Sequence, residues 1–199
     1  MTVPELAVVT VILSVVVAVM FGFLDQVTGL SLRTDRQAEA EGSAQLALRA
    51  ASQNIRSALP VAACTSDGAT PALPTSYADC MKVRVSRSTS GVGACPFTDF
   101  VYAIVNDGGV KKLIENRQEV SCTGTVSGVR LRRVLLEKVA NAGATEPLFT
   151  YYRDNGTTIP VTDPTVPMAS SLRILVKVSY AANAPALSFS SVVAPRNNR

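Results

Sequence analysis

The sequence predicts an α+β chain: one long amino-terminal helix over about residues 1–59, its C-terminal half packed on an antiparallel β-sheet. Three observations carry this. From Leu6 to Leu24 no charged residue occurs, and only Thr10, Ser14 and Gly22 interrupt an apolar run. From Asp25 the chain turns polar and alanine-rich, with apolar residues recurring every three or four positions. After Pro60 the pattern changes to short alternating stretches separated by Gly, Asn, Asp and Pro.

The first stretch is long enough to span a bilayer. As a helix, 6–24 measures roughly 28 Å, about the hydrocarbon thickness. A cleaved secretory signal fits poorly, because no basic residue precedes the run and Phe21-Gly-Phe-Leu-Asp25 offers no small-residue cleavage site. A retained helix is expected over 1–24. Thr2-Val-Pro4-Glu5 has the form of a capping box: Thr2 is the N-cap, Pro4 lies in the first turn where its missing N–H costs nothing, and Glu5 answers the helix dipole. A neutral residue could cap as well, and an ionisable group at the edge of a membrane span calls for a partner.

The second stretch, 25–60, continues the helix. Ala40, Ala44, Ala47, Leu48, Ala51, Ile55 and Leu59 form one apolar stripe, and Pro60 ends it. The complete helix would be about 58 residues and about 85 Å long. Gly22, Gly29 and Gly42 are its weak points, each costing about 1 kcal/mol against alanine. A bend or local melting between about Ser14 and Gly29, at Gly22 and Gly29 above all, is expected.

The third stretch, 61–199, is expected to be a disulfide-braced antiparallel β head. Met81–Ser86, Asp99–Val105, Val110–Ile114, Val129–Val139, Leu148–Tyr152, Leu172–Tyr180 and Ala186–Val193 read as strands. Asn106-Asp-Gly-Gly109 and Asp154-Asn-Gly156 are hairpin turns. Such a meander argues for an antiparallel sheet with one face packed on the helix stripe. Of Tyr151 and Tyr152, one faces the core and one the surface.

Composition removes several functions. The 199 residues contain no histidine and no tryptophan, so Ser-His-Asp and Cys-His catalysis and most zinc sites are excluded on inventory. The net charge of +4 is dispersed, and Arg130, Arg132 and Arg133 alternate across a strand, so no specific nucleic-acid partner is expected. Cys64, Cys80, Cys95 and Cys122 are widely spaced without a Cys-x-x-Cys pair, which reads as two disulfides formed in an oxidising compartment. Three connectivities are possible; pairing between sequence neighbours favours Cys64–Cys80 with Cys95–Cys122. Asn155-Gly-Thr157 is an N-glycosylation sequon, but a hairpin turn explains Asn-Gly equally well. Asp154 and Asp163 match no calcium loop, and Gly91-Val-Gly93 lacks the flanking strand and helix of a nucleotide site. No metal, cofactor or catalytic constellation is expected, and an enzyme is the weakest class.

At its head the chain resembles the type IV pilins and related pseudopilins, whose mature ends usually read Phe-Thr-Leu-Ile-Glu-Leu before an apolar helix. Thr2, Glu5 and Leu6 match by position, and Met1 would be the N-methylated first residue of a mature chain without leader. Arg49-Ala-Ala-Ser-Gln-Asn-Ile-Arg-Ser-Ala58, Leu148-Phe-Thr-Tyr-Tyr152 before Asn-Gly, and the terminal Ala-Pro-Arg-Asn-Asn198 are similar to stretches of the larger minor pilins and pseudopilins. Sequence likeness covers about residues 1–59; beyond them only the layout is shared. Pro4 departs from the usual aliphatic residue, and Gly22 stands where many pilins have proline.

The resemblance implies a pilin-like fold and a structural role. The chain would reside as a single-pass protein in the inner membrane and be processed by a prepilin peptidase/methylase. Pilus assembly machinery would then build it into an extracellular helical homo-oligomer. Glu5 would face the amino terminus of Met1 in a neighbouring subunit, since a carboxylate alone in an apolar bundle is costly and that pairing offsets much of the cost. The major filament subunit ranks narrowly ahead of a minor pilin or a type II secretion pseudopilin at a filament tip. A monomeric membrane-anchored module displaying a β head is the reading from another class.

Overall fold

The computed structural model describes residues 3–58, 62, 64, 76–86, 97–126, 130–141, 143–163, 166, 169–181 and 184–195; of Val3, Glu5 and Leu6 it describes the backbone alone. It bears out the α+β layout: among the described residues a 54-residue helix, α1 (Val3–Arg56), precedes eight antiparallel strands. The chain divides into two compact units, Met1–Glu39 and Ala40–Arg199.

The first unit is helical throughout its described residues. The expected melting is absent here: α1 runs unbroken through Ser14, Gly22 and Gly29. The physical reason is cooperativity. A glycine costs about 1 kcal/mol in a helix, whereas opening the ladder would strip several backbone groups of their partners.

In the second unit, α1 supplies the stripe its spacing predicts. Ala40, Ala44, Ala47, Leu48, Ala51 and Ile55 are all buried, and Ala58 beyond the helix end is buried with them. Leu59 and Pro60 lie outside the described residues. The helix stops at Arg56, earlier than expected, because Ala58 leaves it to bridge Val85.

The antiparallel layout is as expected, and among the described residues it divides into two sheets of four strands. The first is a simple meander of β1 (Cys80–Ser86), β2 (Phe97–Asp107), β3 (Val110–Val120) and β4 (Leu131–Leu136). In the second, β5 (Phe149–Tyr152), β6 (Thr158–Ile159), β7 (Ser171–Val178) and β8 (Leu187–Val193) pair in the order β6-β5-β7-β8. The expected strand 129–139 is where the chain changes sheet. Its regular part ends at Leu136, Lys138 adopts a left-handed φ of 56°, and Val139 bridges Val178 of β7. Val139 N donates to Lys111 O of β3 at 2.9 Å, and Ala140 N to Lys177 O of β7 at 2.8 Å, so this segment joins the sheets.

The β2–β3 hairpin is longer than its apolar core, 11 residues on each side. Its closing pair Asp107↔Val110 leaves Gly108 and Gly109 as the loop, at φ 59° and 82°, the left-handed pair a two-residue turn requires. The core joins the helix stripe to both sheets. Met81, Val83, Tyr102 and Leu113 come from the first sheet, and Phe149, Tyr151, Leu172, Ile174 and Val176 from the second. Tyr151 is the buried member of the tyrosine pair, as expected, with Tyr152 half-buried.

Candidate functional site: an uncovered apolar helix and its fastening

Two features stand out: the apolar surface of the first unit, and the polar contacts that hold the end of α1 in the second. From Val8 to Leu32 the large apolar side chains stand exposed, Val19 at 67% and Phe21 at 68%. The helix is long and apolar enough to cross a membrane. Water is a poor solvent for such a surface; at roughly 25 cal/mol per Å² its cost is large, and patches of this size mark membrane or protein contacts.

Four hydroxyls along this helix are already bonded back to their own turn. Thr10 Oγ1 donates to Ala7 O at 2.9 Å and Ser14 Oγ to Val11 O at 2.8 Å. Farther along, Thr28 Oγ1 donates to Leu24 O at 2.8 Å and Thr34 Oγ1 to Leu30 O at 3.0 Å. Hydroxyls bonded back to their own turn can enter an apolar phase without leaving a donor unpaired. A β-carbon at Gly22 or Gly29 would meet nothing within 4 Å.

Of the expected assembly residues, Met1 and Thr2 lie outside the described residues, and Glu5 is placed in α1 by its backbone alone. Pro4 sits exposed in the first turn, where proline is tolerated.

In the second unit a partly buried network, centred on the buried Tyr102, fastens the helix. Asn54 Nδ2 donates to the Tyr102 hydroxyl at 2.6 Å, and that hydroxyl donates to Glu115 Oε2 at 2.9 Å. Burial pushes the Tyr102 phenol far above its ordinary range, so it stays a neutral donor. Sequence reasoning missed this site. The only available signal was Asn54 beside stripe residues Ala51 and Ile55, a polar side chain one step from a buried face.

A second polar knot lies within the first sheet. Asp99 is 3% exposed and takes Arg84 Nε at 2.7 Å, Arg84 Nη2 at 3.0 Å and Lys82 Nζ at 2.9 Å. Burial alone would raise its carboxyl, but the bonds from Arg84 and Lys82 outweigh that and hold it below its usual range. The Arg84 guanidinium also lies 5.5 Å from the centre of the Phe97 ring. Asp79 is the opposite case. Burial raises its carboxyl, the charge of Lys111 offsets only part of that, and its Oδ1 is buried without a hydrogen-bond partner.

Asn141 locks the segment between the sheets. It is 1% exposed; its Nδ2 donates to Leu175 O at 2.8 Å and Glu146 O at 3.2 Å, and its Oδ1 accepts from Lys177 N at 2.8 Å. An ion pair between Lys177 and Glu146 closes the same corner.

The disulfide Cys64–Cys80 forms as the neighbour rule predicts, with Cα atoms 5.9 Å apart. Cys122 is disulfide-bonded too. Its expected partner Cys95 lies outside the described residues, as does Gly91-Val-Gly93. Among the described residues no cluster of three or more His, Cys, Asp or Glu is placed to hold a metal ion. Asp163, set aside above as a calcium ligand, accepts Arg153 Nη2 at 3.1 Å.

No protein-family model matches the chain, and no curated protein matches it.

Proposed function

We propose that this chain is a structural subunit of an extracellular type IV pilus-like filament, held as a single-pass membrane protein until it assembles. The observation that carries the reading is the first unit: a helix with an uncovered apolar surface from Val8 to Leu32, headed by the single carboxylate Glu5. An apolar helix needs only lipid. A carboxylate at its head needs a cation, and the amine of Met1 in a neighbouring copy supplies one as helices bundle. The second unit, tied together by Asn54, Tyr102, Asn141 and Cys64–Cys80, stands as a β head on the filament surface.

A monomeric membrane anchor carrying a display module uses the same apolar surface, and Glu5 separates the two. Replacing Glu5 by Ala or Gln abolishes filaments while the chain still inserts in the membrane. Normal filaments from that variant would sink the proposal. A minor or tip subunit is distinguished by stoichiometry: the major subunit makes up most of the mass of purified filaments.

A further inference from the structure

The hairpin tip between β5 and β6 carries chemistry that the assembly reading does not use. Arg153 N donates to Thr157 O at 2.9 Å, closing a turn around Asp154, Asn155 and Gly156, every residue of it exposed. Gly156 has a φ of +77°, a conformation that suits glycine, and Asn155-Gly156 is the one Asn-Gly pair in the sequence. The Asn155 side-chain oxygen is gripped twice: Thr157 N donates to Oδ1 at 3.0 Å and Thr157 Oγ1 at 2.7 Å.

We propose that Asn155 is a site of self-modification, converting to aspartate and isoaspartate through a cyclic imide, with Thr157 assisting. The Gly156 amide nitrogen gives up its proton and attacks Asn155 Cγ, forming the N–Cγ bond. The negative charge that develops on Oδ1 falls where the two Thr157 donors already point, as in an oxyanion hole. The Cγ–Nδ2 bond then breaks and the amine leaves, with the proton, as ammonia. Water opens the imide at either carbonyl, giving aspartate or an isoaspartate whose backbone runs through the side chain. Glycine leaves the nucleophile unshielded, and exposure supplies the water. The hydrogen bond from Gly156 N to Arg153 O, 2.9 Å, must open first, which at an exposed tip costs little.

The β2–β3 turn is the built-in contrast. Asp107 precedes Gly108 there as Asn155 precedes Gly156, but Asp107 Oδ2 is paired with Lys112 Nζ at 3.0 Å. A paired carboxylate is a poor electrophile with no amine to lose. Conversion at Asn155 lowers the formal net charge by one unit from +4 and is irreversible, so it marks each molecule by age.

The test uses the full chain in detergent at mildly alkaline pH, folded and, in parallel, unfolded in guanidinium. Trypsin releases residues 154–173, and mass spectrometry with an isoaspartate-specific methyltransferase quantifies conversion. The folded chain is expected to convert at least as fast as the unfolded one. Thr157→Val slows conversion in the folded chain about threefold to tenfold, the kinetic equivalent of one neutral hydrogen bond. Thr157→Ser, which keeps the hydroxyl, retains the rate. A folded chain that keeps its amide while the unfolded chain loses it would overturn the proposal. Equal rates for Thr157→Val and the unaltered chain would overturn the role given to Thr157.

Discussion

Removing one oxygen, in Tyr102→Phe, tests the fastening of α1 to the first sheet. Phenylalanine fills the same ring volume, so the change leaves essentially no cavity and isolates the hydroxyl. That hydroxyl is fully buried, accepts from Asn54 at 2.6 Å and donates to Glu115 at 2.9 Å. A neutral hydrogen bond contributes about 1 kcal/mol net, and one to a charged group about 1.5–3 kcal/mol. Glu115 is half-buried and regains water, which discounts the second figure. The expected loss is about 2 kcal/mol in all. In urea, with a slope of about 2 kcal/mol per molar, the unfolding midpoint of the second unit falls by roughly 1 M. Asn54→Ala costs about 1 kcal/mol, and because both variants break one network, their combination costs less than the sum. Urea unfolding of the full chain in mild detergent, followed by circular dichroism, reads all three. A shift under about a quarter of that size for Tyr102→Phe, or strict additivity with Asn54→Ala, would refute the network's role.

Two further outcomes follow from groups in the same unit. Asp79 has a folded-state carboxyl raised above its unfolded value, so it favours the fold at acid pH and costs stability as pH rises through the folded value. Asp79→Asn therefore stabilises the chain at neutral pH, and this gain disappears below about pH 3, where the carboxyl is protonated in both states; melting curves across pH check this. The Cys64–Cys80 bridge closes a separation of 16 residues, so Cys64→Ser with Cys80→Ser lowers stability by about 3 kcal/mol in denaturant unfolding.

The helix and most strands were legible because each announces itself locally. The stripe from Ala40 to Ile55 repeats at helical spacing, and β7 alternates between half-buried and buried residues from Ser171 to Val178. The division into two sheets was not legible. It turns on Lys138, whose carbonyl accepts from Ser179 N, and on Asn141, whose bonds reach Lys111, Leu175 and Lys177, all partners far away in sequence. The full length of β3 was hidden as well: the expected strand stops at Ile114, because Glu115, Asn116, Arg117, Gln118 and Glu119 carry no apolar alternation. Paired with β2, they gain a ladder that outweighs their weak strand preference. Melting at Gly22 and Gly29 was expected from propensity, and the intact hydrogen-bond ladder overrides it. At the candidate site the apolar run and Glu5 were plain in the sequence, whereas the Asn54–Tyr102–Glu115 network has no periodic signature.

The central claim is that the apolar helix is an assembly surface. High-resolution imaging of filaments sheared from cells that make this chain, with the subunit identified in the density, tests it most directly. The account predicts filaments built of this chain, with residues 8–32 bundled in the core, Glu5 beside the amino terminus of a neighbour, and β1–β8 outside. Filaments that lack the chain, with all of it extracted from the membrane as a monomer, would contradict it.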